Sequence, residues 1–170
     1  IQTVSVSPGR VSPEVSYKSA YDRAFEQICL LGNRAQLLGV KLCIENVWQG
    51  LLLSPMEFAD FLDRVGRPAV GACLDTGNTM LTGYPQHWVE SLNHHIYKLH
   101  ITDIHRRLGG ILEFVNPGKG DADWTSILVM LSAMGYKGYA SIEAFYRKGL
   151  DESERLKELS NALNIIFEGH

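Results

Sequence analysis

Apolar residues recur along this chain with two alternating periods, and the alternation predicts its elements. The β-branched run Ile1 to Val6 reads as a strand and ends in the turn signal Ser7-Pro8-Gly9. From Ser16 to Leu38, the residues Ala20, Ala24, Ile28, Leu31, Ala35 and Leu38 recur at spacings of three and four. One face of a long helix is therefore apolar, and Gly39 supplies its stop. Val40 to Ile44 is a second strand, ending in Glu45. Ser54-Pro55-Met56-Glu57 is a capping box with proline at the first helical position; Phe58, Leu62 and Val65 follow on one face before Gly66. Pro68 to Leu74 is a third strand, ending in Asp75, and a shorter helix spans about Pro85 to Leu92. A fourth strand runs into His100. After the Gly-rich loop Asn116 to Asp121 comes a helix from Trp124 to Met134, capped by Asp123 and ended by Gly135. Gly138 to Ile142 is a fifth strand, ending in Glu143, and the amphipathic helix Glu152 to Phe167 follows.

Strand and helix thus alternate five times, with no hairpin signal between strands, which predicts a parallel α/β architecture. Five units in 170 residues scale to roughly 270 residues for eight, a usual size for an eight-fold β/α barrel. Five units alone leave two apolar edge strands unpaired, and closure removes that liability. The expectation is a (β/α)8 TIM barrel of which residues 1–170 form the C-terminal part of a single domain, with three N-terminal units lying outside the chain. The competing arrangement, a complete doubly wound sheet, lacks a convincing Gly-rich nucleotide turn after its first strand.

Composition narrows the function. Hydrophobic residues make up 45% and charged residues 21%, in one soluble-type chain long enough to bury a sizeable core. Ile1 opens directly in a strand-like run, as in a chain cut from something longer and unlike a signal peptide. No stretch approaches the roughly 18 apolar residues of a membrane span. The net charge of −3, with acids and bases interspersed, provides no basic footprint for nucleic acid and favours small-molecule partners. Cys29, Cys43 and Cys73 each lie in an apolar run without a C-x-x-C pair, as expected of reduced core thiols in a cytoplasmic protein.

The chemistry gathers around Tyr97 to Arg106, where an apolar run breaks into histidine, carboxylate and arginine. Period 2 sends Lys98, His100 and Thr102 to one face, and Tyr97, Leu99 and Ile101 to the other. One histidine at a strand end means little by itself. Four of the five strands, however, end in a metal-competent side chain: Glu45, Asp75, His100 and Glu143. In a parallel barrel all strand C-termini face one mouth, so these four converge. Three converging carboxylates repel unless a cation compensates. One imidazole and three carboxylates suit manganese first, with magnesium, cobalt or zinc as alternatives. Such an ion would hold adjacent substrate oxygens and stabilise an enediolate while Glu45 or Glu143 moves the proton next to the carbonyl.

Secondary candidates surround this set. Arg106 is a solvated charge or a guanidinium for substrate oxygens. Asp103 and His105 could orient ligands. Lys98 could point below the ion toward Glu45 or Glu143, and Trp48 could line the mouth or simply pack. The Pro117 to Asp121 loop lacks Walker spacing and is expected to shape the mouth.

Cys43-Ile44-Glu45-Asn46, Leu74-Asp75-Thr76-Gly77-Asn78, Leu99-His100-Ile101-Thr102-Asp103, Pro117 to Trp124 and Ser141-Ile142-Glu143 together resemble the sugar phosphate isomerase/epimerase family with the xylose isomerase-like barrel, over its strands four to eight. The resemblance implies that Glu45, Asp75, His100 and Glu143 bind the metal and that Glu45 and Glu143 exchange protons with substrate. The likeness to ketose 3-epimerases extends to Arg106, where an arginine contacts substrate oxygens. Many of those enzymes have histidine where this chain has Asn78, so the substrate contact at Asn78 differs. The type IV apurinic endonucleases of the same barrel need that histidine and a further Asp-x-His in the loop after strand seven, which residues 107–115 do not supply.

The function expected is a divalent metal-dependent isomerase or epimerase of a sugar or sugar phosphate in carbohydrate metabolism. The alternatives are an inosose-type dehydratase on the same metal site, or a non-catalytic barrel serving as a binding module. Homo-oligomerisation is left open.

Overall fold

A computed structural model describes residues 1–144 and 151–168. The first strand, β1 (Thr3–Val6), leads through a loop to helix α1 (Tyr17–Leu38), followed by β2 (Lys41–Glu45), α2 (Pro55–Val65) and β3 (Val70–Asp75). Helices α3 (Thr76–Thr82) and α4 (Pro85–Leu92) and a 3₁₀ turn (Asn93–His95) precede β4 (Ile96–Ile101). Strands β5 (Asp103–Arg106) and β6 (Leu112–Val115), helix α5 (Trp124–Ala133), β7 (Tyr139–Ile142) and helix α6 (Glu152–Glu168) complete the order.

The principal sheet is five-stranded and wholly parallel, in the order β1-β2-β3-β4-β7. It curls enough for side chains to meet across its concave face. Lys98 of β4 donates to Ser5 Oγ of β1 (3.3 Å), and the Tyr139 hydroxyl of β7 donates to Gln2 Oε1 (2.9 Å). This curvature is that of part of a β/α barrel. Leu42 and Ile44, Val70, Ala72 and Leu74, and Leu99 and Ile101 point outward into the core beneath the helices. Period 2 sends Cys43, Glu45, Cys73, Asp75, Lys98 and His100 the other way, into the barrel interior.

The helices form where the capping signals lie. Ser16 accepts from Ser19 N at the start of α1, and Gly39 closes it with φ +65°. Ser54 accepts from Glu57 N to open α2, whose Phe58, Phe61, Leu62 and Val65 are buried. Asp123 does the same for α5 through Ser126 N. Among the described residues no helix is long and apolar enough to cross a membrane.

Two local expectations change, and one short helix is added. The expected absence of hairpins fails beyond β4, where β5 and β6 pair antiparallel, Asp103 opposite Val115. The cue was weak because the turn between them is long and carries Gly109 and Gly110 at positive φ rather than a two-residue signal. The polar run after Asp75 is a helix, α3, capped by Asp75 itself through Asn78 N. Tyr97 does not share a face with Leu99 and Ile101. The β3–β4 register shifts between Ala72 and Cys73, and the Tyr97 ring lies under Lys41 Nζ (4.6 Å) with its hydroxyl donating to Pro68 O. An irregularity in a strand resets the period-2 count.

Asp103, fully buried, organises the loop that follows β6. Its Oδ2 accepts from Gly118 N (3.0 Å), Gly120 N (3.0 Å) and Trp124 Nε1 (3.3 Å), and its Oδ1 from Ile104 N (2.9 Å) and Ala122 N (3.1 Å). Asp121 closes the loop onto β5 by accepting from Arg106 N (2.6 Å). Asp103→Asn is expected to turn an amide N–H toward these donors and to destabilise the protein by about 3 kcal/mol, as hydrogen bonds to a buried charge are lost. Urea unfolding checks this, and a midpoint equal to that of the wild type would contradict the assigned role.

Candidate metal centre

Each residue of the centre is carried to one place by the end of a strand. Glu45 ends β2, Asp75 ends β3 and caps α3, His100 lies near the end of β4, and Glu143 follows β7. Register aligns them: Glu45 lies opposite Cys73, Asp75 opposite His100, and Glu143 N donates to Ile101 O (3.2 Å). One ligand atom from each of Glu45, Asp75, His100 and Glu143 falls within 4.8 Å of all the others. His100 Nδ1 lies 3.2 Å from Glu45 Oε1 and 3.0 Å from Glu143 Oε1.

The backbone around Asp75 is clamped from both sides. The Asn46 side chain donates to Asp75 O (3.0 Å) and accepts from Asp75 N (2.7 Å), both in buried positions. Thr76 Oγ1 donates to Thr102 O (2.6 Å) and accepts from Thr102 N (3.0 Å), tying the end of β3 to the end of β4. Asp75 Oδ1 accepts from Asn78 N (2.7 Å) and from the Thr102 hydroxyl (2.5 Å), so Oδ2 is left for a further ligand. Gly77 makes this possible, because a Cβ there would stand 2.5 Å from Thr102 Oγ1, which accepts from Gly77 N. Asn46, Thr76 and Thr102 were not assigned these roles from sequence. The usable signals were the polar residue directly after Glu45 and the shared parity of Thr102 with His100.

Electrostatics at the centre are those of crowded acids around one base. Burial, reinforced by the charges of Glu45 and Glu143, pushes the Asp75 carboxyl up to about 7 against the two hydrogen bonds that favour its ionised form. Burial opposes charging of His100, yet the hydrogen bond to Glu45 and the charges of Glu45 and Glu143 raise it above its ordinary value. The acids beside His100 thus favour its protonated form. A donor set of three carboxylates and one imidazole fits a divalent ion, which compensates the same charge more fully.

The secondary candidates are placed as follows. Trp48 and Asn78 line one small pocket beside the centre, together with Asn46, Leu53 and Trp88. Arg106 turns to the end of α3, where its guanidinium donates to Met80 O (3.1 Å) and to Gly83 O and stacks over the Tyr84 ring at 4.5 Å. Its positive charge meets the carbonyls of a helix C-terminus. His105 Nδ1 lies 3.5 Å from Asp121 Oδ1. Among the described residues Lys98 forms no ion pair with Glu45 or Glu143; it bonds to Ser5 because it lies one interior layer below the acids. Burial pushes the neighbouring interior thiols up, Cys43 to about 11 and Cys73 to about 12, so both stay protonated and unreactive.

The family profile of the xylose isomerase-like TIM barrel matches residues 1–166. The chain belongs to this family. An uncharacterised protein of Methanocaldococcus jannaschii, MJ1311, is 28% identical over 98% of this chain and 58% of its own length. Among solved structures, a D-psicose 3-epimerase in the presence of D-fructose superposes with a TM-score of 0.81 at 23% identity, over 96% of this chain and 63% of that one. The IOLI protein with a bound zinc atom superposes at 0.83 and 20% identity, over 97% and 62%. The chain thus spans less than two thirds of the length of each of these relatives, and the solved structures share with it the fold of the xylose isomerase-like barrel.

A stability test follows from the two shifted groups. Unfolded Asp and His titrate near 3.9 and 6.5. Folded Asp75 titrates near 7 and folded His100 above its ordinary value, so the folded state holds more protons than the unfolded state from about pH 4 upward. Stability carried by these groups is present at low pH and is lost as pH rises through their folded values. In chelator-treated protein, Asp75→Asn is therefore expected to flatten the fall in urea midpoint between about pH 5 and pH 8. An unchanged pH slope in that variant would contradict the electrostatic assignment.

Proposed function

We propose that this chain carries the catalytic metal centre of a sugar isomerase or epimerase. The supporting observation is the convergence of Glu45, Asp75, His100 and Glu143, from four different strands, to within 4.8 Å. These four residues would hold the ion, and the oxygen-rich donor set favours manganese. A bound divalent ion supplies Lewis acidity for the oxyanion that develops when a proton leaves the carbon next to a carbonyl.

The protein's own groups do the rest. Glu45, on β2, and Glu143, after β7, both lie against His100 Nδ1 and would take up and return the substrate proton from the two strands they come from. Asp75, held by Asn46 and Thr102, orients and anchors. Trp48 and Asn78 form the wall that meets the sugar, and Arg106 braces that wall through the carbonyls of α3. The substrate is a ketose or its phosphate, a class consistent with the psicose 3-epimerase likeness. The three cysteines, all free thiols, fit a reducing cytoplasmic compartment.

Incorporation of solvent deuterium into D-fructose or D-psicose, followed by NMR with the intact protein and added Mn²⁺, tests the proposal. Glu143→Gln is expected to slow exchange by about 10²–10⁴-fold, the range for removal of a positioned acid–base group. Equal exchange in the variant, or sugar-dependent exchange that persists after chelation, would sink the reading. Ion binding itself is expected to tighten from about pH 6 to pH 8 with proton release, because Asp75 and His100 must both lose protons to ligate. Calorimetry in buffers of different ionisation enthalpy measures the protons released.

A further inference from the structure

The opposite end of the sheet carries a second group of ligands. The 3₁₀ turn Asn93–His95 enters β4 from below, so five residue steps, up to roughly 16 Å of strand, separate His95 from the level of His100. On this lower side His95 Nε2 lies 2.9 Å from Asp63 Oδ1 of α2, and the His94 and His95 rings lie 4.1 Å apart between centroids with 36° between their planes. One ligand atom from each of Asp63, His94 and His95 falls within 4.8 Å of the others.

We propose that Asp63, His94 and His95 form a second divalent-metal site, taking a borderline transition-metal ion such as zinc, that ties α2 to the turn entering β4. Two imidazoles and one carboxylate are a zinc-type donor set with room for water as the remaining ligand. Tetrahedral coordination at ordinary bond lengths sets ligand atoms about 3.4 Å apart, within reach of small side-chain rotations from the present arrangement. The His95 ring is largely buried beside Asp63, so packing fixes its place in the cluster. His94 and Asp63 are exposed and open to solvent, which allows an ion to enter. The softer, two-imidazole set at this end contrasts with the carboxylate-rich set at the mouth, so the two sites differ in the metals they prefer.

Binding of Co²⁺ and Zn²⁺ to the intact protein, chelator-treated and free of any histidine tag, tests this by equilibrium dialysis with metal analysis. The wild type is expected to hold one more equivalent than either His94→Ala or Asp63→Asn, with residual affinity at this site lowered about 10-fold or more. Zinc is expected to raise the unfolding temperature of the wild type more than that of Asp63→Asn, since only the former gains binding energy in the folded state. Because the comparison is between the wild type and variants remote from Glu45, Asp75, His100 and Glu143, loss of metal at the mouth leaves the difference intact. Equal stoichiometry and affinity in the wild type and both variants would overturn the proposal and leave His95–Asp63 as a surface ion pair.

Discussion

Like charges forced together at the end of a sheet are the constraint from which the structure of the mouth follows. Parallel pairing brings Glu45, Asp75 and Glu143 to the same side, and their mutual repulsion has to be compensated before the chain can hold that shape. His100 does this in part by sitting between Glu45 and Glu143, and Asp75 does it by retaining its proton up to about 7. A divalent ion held by these four side chains would supply the same compensation.

Precision at that mouth comes from neutral groups. Asn46 uses both its donor and its acceptor on the backbone of Asp75, and Thr76 and Thr102 exchange hydrogen bonds across β3 and β4. A neutral amide or hydroxyl orients a carboxylate without adding to the local charge. The Thr102 hydroxyl and Asn78 N take up one oxygen of Asp75 and leave the other directed elsewhere. Asp103 works on a larger scale, gathering five donors to shape a whole loop around one buried charge. The contrast is instructive: Asp75 lacks enough donors to hold its charge comfortably, whereas Asp103 is surrounded by them.

Much of this was legible in the chain because it rests on local physics. Strand and helix periods follow from the alternation of buried and exposed positions along each segment, and Ser54, Asp123, Gly39 and Gly66 end or begin helices through bonds to residues a few positions away. The hairpin of β5 and β6 escaped because its long turn has no compact signature, and the Tyr97 irregularity because a register shift depends on the neighbouring strand. The Arg106 guanidinium rests on Met80 O and Gly83 O, acceptors that the fold and not the local sequence brings near.

The sequence by itself determined the alternation of the five parallel strands with the helices between them, the caps, and the placement of Glu45, Asp75, His100 and Glu143 at strand ends, since each depends on residues within a turn or two of one another. Only the tertiary structure decided that these four meet within 4.8 Å, that Asn46 and Thr102 hold Asp75, that Asp103 gathers its loop, and that Asp63 faces His94 and His95. The reason is that periodicity assigns a side chain to a face, whereas a contact between residues tens of positions apart is set by strand register and sheet curvature.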